Sequence, residues 1–117
     1  MKHGTITISR ENVEVSKLQG LQTQTVKERL GGLLVLEPLQ ANQALWITPC
    51  NSIHTFAMKY ALDLVYFDKN NKVCGLVENI KPWRMSLCLK AYAIMELPVN
   101  TINHFDIRLG DSCIWQD

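Results

Sequence analysis

Apolar residues in this chain fall in short runs broken by turn residues, and the dominant spacing is two rather than 3.6. Residues 5–8 (TITI) and 13–15 (VEV) are β-branched and flank the polar Ser9-Arg10-Glu11-Asn12, which predicts an N-terminal hairpin at a sheet edge. Between Gln19 and Leu30 the pattern changes. Thr23 or Thr25 can cap a short helix, with Glu28 three residues after Thr25 as in a capping box, and Gly31 and Gly32 stop it. LLVLEP (33–38) is a short apolar run, and ALWIT (44–48) predicts a strand closed by Pro49. In SIHTFAM (52–58), Ile53, Thr55 and Ala57 share one face of an extended segment, while His54, Phe56 and Met58 share the other. LDLVYF (62–67) is apolar on both faces apart from Asp63, the pattern of a strand covered on both sides.

Asp68-Lys69-Asn70-Asn71 reads as a turn and 72–77 as the returning arm of a hairpin. Pro82 lacks a ladder donor, so 78–83 (ENIKPW) is no regular central strand. Within 87–97, Tyr92, Ile94 and Glu96 alternate with Ala93, Met95 and Leu97, predicting a half-buried strand. One helical turn is expected over 100–104, a turn with a permissive Gly110 over 106–111, and a last strand at SCIWQ. The sum is a mainly β fold: a β-sandwich or partly closed barrel of about seven short strands with one or two short helices, in a single domain over residues 1–117. No helical pattern separates the strands, so a parallel βαβ sheet is not expected. The stretch from Trp46 to Asp68 is the expected hub, two strands at the centre of the core with His54 between them and Asp63 close by.

Composition narrows the partners. Net charge is +1 and no two Lys or Arg are adjacent, which argues against nucleic acid, because phosphate binding needs several cations on one face. No apolar run reaches the roughly 20 residues of a membrane span. The N-terminal MKHGTITISREN lacks an apolar signal core, so a cytoplasmic location is expected. Cys50, Cys74, Cys88 and Cys113 contain no C-x-x-C pair, which suits free thiols in a reducing compartment.

The string PCNSIHTFAMKYALDLVYFD, followed by the hairpin return, KPWR, AYAIMELP and LGD, resembles the bacterial and archaeal domain of unknown function family 192. The likeness covers roughly residues 23–116, and ERLGGLL (28–34) is similar to the family's entry segment. It carries over to Arg29, Gly32, Leu33, His54, Met58, Leu62, Asp63, Phe67, Glu96, Gly110 and Asp111. Val99-Asn100 stands where members often have Ala-Gly, and the secretory leader of many members is not seen. The resemblance implies a compact, mainly β fold and no particular activity. Some relatives lie near genes for pilus assembly or secretion.

Candidate chemistry centres on a few residues. His54 is either a proton carrier or a histidine tying a loop to the sheet. Cys50 lies four residues before it and Asp63 nine after, so a small hydrolase or transferase using His54 with Cys50, Asp63 or Asp111 is the alternative to a binding role. His54, His104, Cys50, Cys113 and Asp111 lack the paired spacing of a metal site, and neither metal nor cofactor is expected. Glu96 and Asp111 are a conceivable carboxylate pair for sugar chemistry, though an Asp after Gly more often closes a turn. Arg29, Asp63 and Glu96 are expected as structural polar anchors, with Asp63 bonded to the SIHT backbone, Arg84 or Arg29. Lys81, Pro82, Trp83 and Arg84 form the best recognition segment, with Trp46 or Trp115 possible neighbours. The reading is a noncatalytic module that binds a protein, a peptide or a small saccharide. Its face would be made by His54, Met58, Lys81, Trp83, Arg84, Gly110 and Asp111.

Overall fold

The computed structural model describes residues 2–22, 39–56 and 58–117. The expected helix between Gln19 and Leu30, its Gly31-Gly32 stop, the LLVLEP run and Arg29 fall largely or wholly outside the described residues.

Among the described residues nine strands form two sheets, where about seven strands were expected. β1 (Lys2–Arg10) and β2 (Val13–Gln22) are the N-terminal hairpin, turned by Glu11 and Asn12, both left-handed. β3 (Gln43–Ile47), β5 (Leu62–Phe67), β6 (Val73–Ile80), β8 (Ala93–Pro98) and β9 (Ser112–Gln116) complete a seven-stranded sheet in the order β6-β5-β8-β3-β2-β1-β9. The hairpin is therefore not at the edge, because β9 pairs along β1 from Thr5 to Ser9. Among the described residues one pair, β2 with β3, is parallel. β4 (Ser52–His54) and β7 (Met85–Leu87) form a separate two-stranded ribbon.

The sheet curls but does not close. Its two ends meet at a single bridge, Lys72 opposite Ser112. Inside the curl lies one core cluster, built from Ile6, Ile8, Leu18, Trp46, Val65, Phe67, Met95, Leu97 and Cys113. α1 (Thr101–His104), the one helix among the described residues, adds Ile102, with Ile107 just after it. Alternate residues of β3, β5 and β8 point outward into a second cluster with Leu45, Ile47, Leu64, Tyr66 and Ile94. Two covered faces make β8 buried from Ala93 to Leu97, where a half-buried strand was expected. β8 also separates β3 from β5, so the two central strands of the expected hub are not neighbours.

Close backbone approach is required where Trp115 crosses the hairpin. Gly4 and Gly20 face each other in the β1–β2 register, and the Trp115 ring lies over both. A Cβ at Gly20 would stand 2.3 Å from that ring. Trp115 in turn meets Trp46 edge-on at 5.9 Å, and Trp46 meets Phe67 at 4.3 Å.

Candidate functional site

The ribbon lies over the outer cluster and is built from two segments far apart in sequence. Ser52 pairs with Leu87, Ile53 with Ser86 and His54 with Met85. Opposed residues share a face. Ile53 packs onto the outer cluster, and Ser86 Oγ accepts a hydrogen bond from the Tyr66 hydroxyl at 2.5 Å. Ser52, His54, Met85 and Leu87 point the other way and are exposed.

Two strands of three residues do not hold by themselves. Thr55, fully buried, joins the segments. Its N–H donates to Arg84 O (2.8 Å) and its C=O accepts from Trp83 N–H (2.9 Å). Its hydroxyl donates to Lys81 O (2.7 Å) and accepts from Arg84 N–H (2.9 Å). These bonds hold Trp83 at φ +64°, a left-handed conformation that is costly for a bulky residue. The indole stacks on Phe56 at 5.7 Å between centroids, and Phe56 lies 4.9 Å from His54.

The result is an apolar surface open to water. Trp83 is 61% exposed, Met85 75%, Leu87 62% and Leu89 81%. Isolated exposed apolar side chains are ordinary, whereas these four lie on one short ribbon and its flanks. Exposed Lys59, Lys81, Arg84 and Lys90 come from the same two segments, and residues 50–61 and 81–92 contain no Asp or Glu. Beside the ribbon, a groove of about 360 Å³ runs between the end of β6 and β7, with Ile80, Lys81, Arg84 and Met85 in its walls.

The other expected residues are placed elsewhere. Met58 is buried in the outer cluster and does not reach the exposed face. Gly110 (φ +89°) and Asp111 belong to the turn before β9, which adjoins the inner cluster, so the LGD turn does not share a face with the ribbon. Burial would raise the Asp111 carboxyl, but bonds from the Arg10 guanidinium (2.8 and 2.9 Å) and from Arg108 N–H (2.8 Å) outweigh it and hold the group below its usual range. Trp46 and Trp115 lie within the curl and are not neighbours of Trp83.

Asp63 is buried, and its partners differ from those expected. Oδ1 accepts from Asn79 N–H (2.9 Å) and Oδ2 from Ile102 N–H (3.0 Å). It therefore ties a β6 bulge and the start of α1 to the sheet, and neither bond reaches His54. Glu96 is buried on the outward face of β8, and burial pushes its carboxyl up to about 7. Cys50 Sγ lies 3.1 Å from Ser52 O. Asp63 and Asp111 are thus committed to backbone and guanidinium donors, and neither orients His54 as a catalytic relay would require. Among the described residues no group of three or more His, Cys, Asp or Glu could hold a metal ion, and no helix is long and apolar enough to cross a membrane.

The sequence reading missed Thr55 as the joint between SIHT and KPWR. The available signal was a hydroxyl placed with Ile53 on the inward face of an extended segment.

A curled sheet with an outer ribbon is a fold this chain shares with other solved proteins. The chain belongs to the domain of unknown function 192 family, described as an uncharacterised ACR, whose profile matches residues 6–115. It is 32% identical over 66 residues to a UPF0127 protein of Thermococcus sibiricus, a match covering 56% of this chain and 42% of that relative, less than half its length. Two solved structures share the fold. One is a protein of unknown function from Novosphingobium aromaticivorans, at TM-score 0.83 and 15% identity, covering 97% of this chain and 85% of that one. The other, described as a candidate transcription regulator, is from Sinorhizobium meliloti, at TM-score 0.86 and 12% identity, covering 97% and 94%.

Proposed function

We propose that the protein is a noncatalytic binding or accessory module whose working surface is the outer face of the β4–β7 ribbon. The observation that carries this reading is the exposed His54–Phe56–Trp83 stack, continued by Met85, Leu87 and Leu89. Such a face gains from burial against an apolar partner, and its flat rings and Met side chain suit a protein or peptide surface. The cations without carboxylates favour an acidic partner segment and speed its encounter. Pilus assembly or secretion is the setting that the family resemblance suggests for an accessory role of this kind.

The test is quantitative capture from a bacterial lysate by the immobilised protein, compared with Trp83→Ala and with a control change on the hairpin, Glu14→Ala. The expected result is that Trp83→Ala loses the captured protein at least tenfold while Glu14→Ala retains it. Equal capture by all three removes the ribbon as the binding face.

A further inference from the structure

We propose that Cys74 and Cys88 form a reversible dithiol site, which a low-molecular-weight disulfide oxidises to a bond tying the ribbon to β6. The two Sγ atoms are 4.0 Å apart, although 14 residues separate them in sequence. Tyr66 pairs with Gly75 and Phe67 with Val73, so Cys74 is the extra residue of a β6 bulge. Cys88 follows β7 directly. Its N–H donates to Asn51 O at 2.9 Å and its C=O accepts from Ala91 N–H at 3.0 Å, which fixes the backbone around the sulfur. A disulfide needs the sulfurs at about 2.05 Å, and the nearness of the two thiols leaves roughly 2 Å for side-chain rotation to close. Gly75 shows that nearness independently, since a Cβ built there would stand 3.4 Å from Cys88 Sγ.

The other two cysteines are set apart. Cys113 is fully buried on β9, with its thiol pushed up to about 12 by burial. Cys50 is engaged with Ser52 O. Cys74 and Cys88 are both partly exposed, so a small oxidant reaches them. The Cys74 thiol is pushed up to about 11, first by burial and then by Cys88, which keeps it protonated at neutral pH and suits it to the resolving role. The Cys88 thiolate attacks the small disulfide, forming a mixed disulfide and releasing one thiolate. Cys74 then loses its proton and attacks the Cys88 sulfur, releasing the second thiolate. Two electrons pass from the protein to the small disulfide, which leaves as two thiols. The product staples the short ribbon, otherwise held by Thr55 and the Tyr66–Ser86 bond, to the edge of the main sheet. This inference does not depend on what the ribbon binds.

The experiment treats the reduced full-length chain with oxidised glutathione and reads intact mass and tryptic peptides. Trypsin separates all four thiols: Cys74 falls in 73–84 and Cys88 in 85–90, while Cys50 and Cys113 fall in other peptides. The expected product has lost two hydrogens, links 73–84 to 85–90, and reverts on adding dithiothreitol. Its amide exchange at Ser52–His54 and Met85–Leu87 is slowed at least tenfold. Cys74→Ser instead stops at the Cys88–glutathione adduct, and Cys50→Ser still forms the link. A dominant link involving Cys50, a glutathione adduct that never resolves in the wild type, or four thiols left reduced would each overturn the proposal.

Discussion

Single residues set the pH dependence and much of the rigidity. Glu96 is the clearest case, because its folded carboxyl sits at about 7 against an ordinary value of 4.5. The folded chain therefore holds a proton that the unfolded chain has released. The Glu96 contribution to stability is full below pH 4.5 and falls through the window up to 7, by roughly 3 kcal/mol in total. Asp111 has the opposite sign: its depressed carboxyl adds stability above its ordinary range that is lost on acidification. Urea melts between pH 5 and 8 should show the wild type weakening as pH rises and Glu96→Gln staying nearly level. A second prediction concerns Asp63. Asp63→Ala leaves the N–H groups of Asn79 and Ile102 without acceptors and should cost about 2–5 kcal/mol, with Asp63→Asn intermediate. That Asp63 needed partners was legible, since a carboxylate amid LDLVYF has few other reasons to be buried. Which partners it has was not, because backbone donors from a bulge and a helix start leave no trace in side-chain spacing.

Among the elements, hairpin and turn chemistry read well and pairing partners did not. The Asp68–Asn71 turn could be seen in its residues, and its Asp68 carboxylate accepts from the N–H groups of Asn70 and Lys72. The last strand at SCIWQ could be seen as well, but its place beside β1 could not, because the two come from opposite ends of the chain. The same non-locality hid the meeting of Trp115 with Gly4 and Gly20. Gly20→Ala should cost about 1–3 kcal/mol by overpacking against that ring, and shortening Trp115 to Leu in the same chain should recover most of it. In the ribbon, Thr55→Val keeps the shape but strips the hydroxyl from Lys81 O and Arg84 N–H, with an expected loss of about 1–3 kcal/mol. Hydrogen exchange should show that loss as faster opening confined to β4, β7 and the KPWR segment.

At the scale of the molecule, a curled sheet keeps one apolar cluster inside and turns a second outward under a small ribbon. The two-sided burial of LDLVYF foretold the second layer. It did not foretell that the layer would carry His54 on its open surface, with Gly110 and Asp111 beside the other cluster. SIHT and KPWR were expected to share a face, and the bonds of Thr55 are what join the two segments. An electrostatic part to recognition predicts that capture weakens as salt rises across a few hundred millimolar. The most direct measurement is the map of backbone amide shifts in the isotope-labelled protein on adding the captured partner. The account predicts changes concentrated at Ser52–Phe56 and Trp83–Leu89, absent in Trp83→Ala. Shifts centred on Arg10, Gly110 and Asp111 instead would contradict it.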